Sequence, residues 1–145
     1  MKKPKVLVIT HSFPTLVHPT GSVFILNQVK ELSKYCDIKV INPQPFIPKF
    51  LNSKISEIPY AEKVDNIITY HPKYFSFPKH QLFKKLFGFM YIVESLFSFI
   101  SSKTKLSSLL ILWKPDIIHI HGNIMESIFI KHIKKHHLPY VINVW

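Results

Sequence analysis

The sequence predicts an α/β domain built on a doubly wound parallel sheet. Three observations point there. "KVLVIT" at 5–10 and "DIIHI" at 116–120 are short apolar runs rich in β-branched residues, as strands covered on both faces require. Amphipathic helical patterns follow each of them. At 145 residues and 47% hydrophobic content, the chain has the size of one domain, residues 1–145, and enough apolar material for its core.

Each element has a local reason. After the first strand, Pro14, Pro19 and Gly21 make a loop. Val23, Leu26, Val29 and Leu32 then recur at helical spacing, predicting a helix over Ser22 to Lys34. Ile38–Ile41 is a second strand, ended by Pro43, Pro45 and Pro48. Asn66–Tyr70 reads as a third strand, and "HPKYFSFPK" at 71–79 as a Pro- and aromatic-rich loop. Residues 80–113 read as two helices broken near Ser101 and Ser102. After the strand at 117–121, Asn123 and Glu126 have capping-box spacing. Lys131, Lys134 and Lys135 crowd the end of the helix they open, where cations suit the macrodipole, and Pro139 stops it. "YVINVW" at 140–145 is a fifth strand.

In a sheet of order 3-2-1-4-5, ligands bind at the carboxyl ends of the strands where the order reverses. That point lies between the first strand and the 117–121 strand. His11 and Ser12 would form one lip, and His121, Gly122 and Asn123 the other. The polar end of "PDIIHIHG" then has two readings: a strand leaving the core, or a strand end facing a ligand. Gly21 and Gly122 each lie between a strand and a helix, where glycine lets backbone approach a ligand closely.

Composition narrows the chemistry. A formal net charge of +11, carried by dispersed lysines, favours anionic partners. No arginine run suggests base reading, so nucleic acid is not expected. Cys36, alone, excludes an internal disulfide and a cysteine-based metal site. His119 and His121 share a strand face at metal-like spacing, but no third ligand stands nearby, and no metal is expected. His132, His136 and His137 lie among lysines and suit a solvated helix end. No G-x-G-x-x-G follows the first strand, and no P-loop or nucleophile elbow exists. The short apolar run in "MKKPKVLVIT" is unlike a signal peptide, so a cytoplasmic protein is expected. "LFGFMYIVESLFSFI" at 86–100 is short for a span of about 20 residues and contains Glu94.

The ordered set "KVLVITHSFP", "PTGSVFILNQVKELSK", "HPKYFSFPK", "PDIIHIHG" and "IKKHHLPYVINVW" resembles the N-terminal half of a family 4 glycosyltransferase with the GT-B fold, of the bacterial surface-polysaccharide type. The resemblance covers essentially the whole chain. It implies a Rossmann-like acceptor domain and retaining, metal-independent transfer of a sugar from a nucleotide-sugar donor to a saccharide acceptor, often lipid-linked. Thr20, Gly21 and Ser22 would approach the donor diphosphate and reactive sugar. His11, Ser12, His121, Gly122 and Asn123 would face the acceptor cleft. The family's paired-glutamate donor motif and the His-Gly pattern after the fifth strand are missing. The resemblance therefore implies a domain incomplete at its C-terminus, a donor domain absent or supplied by a partner chain, and no catalytic residue that can be carried over. The alternative is a non-catalytic module binding an anionic or lipid-linked saccharide. Lys79, Lys84 and Lys85, beside Phe83, Leu86, Phe87 and Phe89, suggest either peripheral contact with an anionic membrane or a buried helix with a solvated basic end.

Overall fold

β1 (Lys5–Ile9) runs through the centre of the sheet because both its faces are apolar: Leu7, Val8 and Ile9 have no exposed surface. The computed structural model describes residues 2–47, 57–77, 87–122 and 124–143. Beside β1 lie two parallel strands, β2 (Asp37–Ile41) and β7 (Ile117–His121), with Val8 paired to Val40 on one side and His119 on the other. β5 (Ile67–Tyr70) extends the sheet parallel to β2, and β8 (Tyr140–Asn143) parallel to β7. The five strands expected from the sequence thus lie in the order 3-2-1-4-5.

A sixth strand was not expected. β4 (Ala61–Val64) pairs antiparallel with β5 at the edge. Asp65 and Asn66 join the two with φ of 47° and 66°, the left-handed pair that a tight two-residue hairpin needs. β3 (Gln44–Pro45) and β6 (Lys73–Tyr74) form a separate two-residue parallel pair.

The sheet has helices on both faces. α1 (Val23–Ser33) lays Ile25 and Val29 against Val6, Val8, Ile38 and Val40. α2 (Phe87–Ser108) and α3 (Ile124–Lys134) cover the other face, packing Leu106, Phe129 and Ile133 on Leu7, Ile9, Ile118 and Ile120. The result is an α/β domain with a mostly parallel mixed sheet, compatible with a Rossmann-like fold.

α2 runs unbroken through Ser101 and Ser102, contrary to expectation. Ser101 Oγ donates to the Ser98 carbonyl at 2.9 Å, and Ser95 Oγ donates to the Tyr91 carbonyl at 2.7 Å. Serine hydroxyls satisfied by their own helix do not end it. The break comes later, at Leu109–Trp113, where the last turn widens to π geometry. The Lys114 N–H bonds to the Leu109 carbonyl at 2.9 Å, and Lys114 turns left-handed at φ 54°. Among the described residues, no helix is long and apolar enough to cross a membrane.

Among the described residues Phe129 is the largest fully buried side chain, and it stacks edge-on with Phe99 at 5.5 Å. Phe129→Ala should cost about 3–5 kcal/mol, read as a lowered urea midpoint with an unchanged slope.

Candidate functional site

Immediately past the end of β1, His11 binds two helices at once. Its ring Nδ1 lies 2.9 Å from Glu126 Oε1, and its backbone N–H donates to the same oxygen at 3.0 Å. Its Nε2 lies 2.6 Å from Ser98 Oγ on α2. With Glu126 as carboxylate, the ring proton sits on Nδ1, and Nε2 accepts from the serine hydroxyl. The Ser–His–carboxylate connectivity is that of a nucleophilic triad, but Ser98 is wholly buried. A substrate carbonyl has no path to Oγ, so the chain of bonds acts as a clamp joining β1, α2 and α3.

Gly122 makes this clamp possible. It follows β7 with φ 154°, and a Cβ there would collide with the Glu126 carboxyl group. Its N–H donates to the Asn143 carbonyl at 3.0 Å, continuing the ladder to β8. Burial first, then the carboxylates of Glu94 and Glu126 and the phenol of Tyr91, push the Tyr74 hydroxyl up to about 12. Tyr74 also meets the His11 ring edge-on at 6.0 Å. Glu94 itself accepts from Ser76 Oγ at 2.8 Å and the Phe77 N–H at 2.7 Å, fixing the loop after β6 to α2.

His121 lies on the opposite side of the sheet. Strand alternation puts it with Ile117 and His119 on the face that α1 covers, and its ring lies against that of His119, tilted by 42° with centroids 3.9 Å apart. Burial, reinforced by His119, lowers its pKa to about 4; burial also lowers that of His119.

The sequence-predicted residues divide accordingly. His11 and Gly122 meet through Glu126. Ser12 and Thr20 are exposed at the rim, and Gly21 lies beside Ser12. A Cβ at Gly21 would make only ordinary contacts of 3.7 Å, to Ser12, Pro14 and His18, and its φ is not left-handed. Ser22 instead carries the unusual φ, 20°, at the start of α1. Asn123, Lys79, Lys84 and Lys85 lie outside the described residues. Among the described residues, no group of three or more histidines, cysteines and carboxylates could hold a metal ion.

A second histidine–glutamate pair was missed. His71, just past β5, is buried, with Nδ1 3.0 Å from the Asn42 carbonyl and Nε2 3.0 Å from Glu62 Oε1. Glu62 also accepts the Leu16 N–H at 3.3 Å, and Asn42 Nδ2 donates to the Phe13 carbonyl at 2.8 Å. Both tie down the loop that leads from β1 to α1. The available signal was a histidine placed directly after a strand, as in His11.

At the other end of the sheet, a cavity of about 500 Å³ is lined by Lys2, Lys3, Lys5, Trp113 and Lys114. Lys3 and Lys5 are already bound there: Lys3 to the carbonyls of Ser33 and Lys34, and Lys5 to that of Trp113. They neutralise helix C-termini. No protein-family model and no curated protein matches the chain.

Two outcomes are expected. Gly122→Ala should destabilise by about 2 kcal/mol or more, through backbone strain and the collision with Glu126. In a Glu126→Ala background its added cost should shrink, a coupling that a double-mutant unfolding cycle measures. The second concerns pH. His119 and His121 are neutral in the fold, with pKa values lowered by burial, whereas the unfolded chain takes up protons near 6.5. Acid therefore favours unfolding, and stability should fall as pH drops from 6.5 towards about 4. Urea midpoints at pH 7 and pH 5 should differ less in His121→Gln than in the natural chain.

Proposed function

We propose that this chain is the acceptor-side half of a glycosyltransferase: a doubly wound Rossmann-like domain that holds a saccharide while a donor domain presents a nucleotide-sugar. The observation that carries the reading is the meeting of His11 and Gly122, through Glu126, at the carboxyl ends of β1 and β7, where the strand order reverses. Thr20, Gly21 and Ser22 stand on the same loop system at the start of α1. The buried state of Ser98 supports it too, since a rim that clamps its polar groups shapes a surface but offers no nucleophile.

The reading makes the chain a holder and not by itself a catalyst. Incubated with nucleotide sugars and short-chain prenyl diphosphate saccharides, it should bind the saccharides, as saturation-transfer NMR reports, without turnover. Ser12→Tyr, at the exposed lip of the cleft, should weaken that binding at least tenfold while leaving the melting temperature within about 2 °C, because the Ser12 side chain lies at the surface. Three results would reject the proposal: no saccharide of the panel bound, binding untouched by Ser12→Tyr, or transfer by the chain alone.

A further inference from the structure

α2 is built inside out. The side turned to the protein carries Glu94, Ser95, Ser98 and Ser102, all buried. The outward side carries Phe89, Ile92, Leu96 and Ile100, which are 67%, 60%, 46% and 56% exposed. Spacings of three, four and four residues line these up as one stripe about 16 Å long. A solvent-facing helix normally shows the reverse arrangement, and a contiguous apolar stripe marks a surface that something covers.

Charge decides the occupant. Glu94 is the only carboxylate on α2, and it points inward. Lys103 is exposed one turn beyond Ile100 on the same side. α3 packs beside α2 and adds exposed Lys131 and Lys134, with exposed Lys135 just past its end. His132 of α3 lies against Phe99 of α2 at 5.7 Å, with its Nε2 3.2 Å from Ser107 Oγ, and burial, then His136, Lys103 and Lys135, lower its pKa, so Lys103 and Lys135 meet at this helix–helix contact. Two copies meeting through this face would bring those cations together. An anionic lipid surface instead accepts both the apolar stripe and its basic flank.

We propose that the outer face of α2, flanked by the lysines of α3, docks in the plane of an anionic membrane. Phe89, Ile92, Leu96 and Ile100 enter the headgroup–acyl boundary, and Lys103, Lys131 and Lys135 meet the lipid phosphates. α2 lies on the membrane without crossing it, because Glu94 and Ser98 on its inner side are engaged with the rest of the domain. This inference uses no part of the glycosyltransferase reading and stands or falls apart from it.

The test is co-sedimentation of the chain with vesicles of phosphatidylcholine, alone or with 30% phosphatidylglycerol. Binding to the anionic vesicles should exceed binding to the neutral ones and weaken as salt rises. Ile92→Asp/Leu96→Asp should reduce it at least tenfold with unchanged circular dichroism, since both residues are already in solvent. Lys131→Glu/Lys135→Glu should remove most of the preference for anionic lipid, about fivefold for each lysine, and leave neutral binding alone. Equal partition to both vesicles, or undiminished binding by the aspartate variant, overturns the proposal. So does a dimer in sedimentation velocity that the aspartate variant dissociates while vesicles bind neither form, which assigns the face to a second copy.

Discussion

The carboxylate of Glu126 holds the rim of this domain together. One oxygen accepts both the backbone N–H and the ring of His11, so the end of β1 is fixed to the start of α3. The His11 ring passes the constraint on to α2 through Ser98. The arrangement needs a residue without a side chain at Gly122, because a Cβ there would occupy the carboxyl group's place. A buried carboxylate is costly unless its lone pairs are used, and here a single oxygen serves two donors.

The same solution recurs two strands away. His71 and Glu62 pair at the end of β5, wholly buried, and between them hold the β1–α1 loop through Leu16, with Asn42 holding it through Phe13. In parallel sheets the carboxyl edge is where backbone leaves the ladder and polar groups fall short of partners. Histidine suits this position because its two nitrogens reach partners on opposite sides. His71 shows it directly, bridging a backbone carbonyl of the next strand and a side chain of the edge strand. Burial lowers its pKa despite Asn42 and Glu62, so its neutral form belongs to the fold.

Much of the fold was legible because it rests on apolar patterning. The five parallel strands read directly from runs such as "KVLVIT", and α1 and α3 from their spacing. β4 was not legible, because Glu62 occupies an inward position that an apolar residue would normally take; its partner, His71, is nine residues further on and joins it only through the hairpin. The serine pair in α2 suggested a break for a similar reason. Serine propensity counts hydroxyls against a helix, whereas Ser101 is satisfied by its own helix and Ser102 faces the protein. Of the site, His11 and Gly122 could be placed from the sheet order alone. Ser98, Glu94 and Tyr74 could not, because their roles depend on α2 lying across the rim, a relation between distant segments. Gly21 was expected to require its backbone freedom, but the unusual φ falls on Ser22 instead.

The odd character of α2 follows from the rim it covers. The groups beneath it are polar: the His11 ring, Ser76 and the Phe77 N–H each need a partner, and Ser98 and Glu94 supply them. A helix whose inner side is committed to hydrogen bonds over its first three turns cannot also bury its apolar residues there. Phe99 touches the apolar core at Phe129, and only from Leu106 onward are α2 side chains fully buried in it, in the ordinary way. The outward apolar stripe stops at Ile100, before that change, and lysine replaces it at 103. The polar rim and the exposed apolar face are thus two sides of one constraint. A chain that satisfied the rim with shorter loops and left α2 apolar on its inner side would gain burial, but it would lose the clamp on His11 and the outward face together.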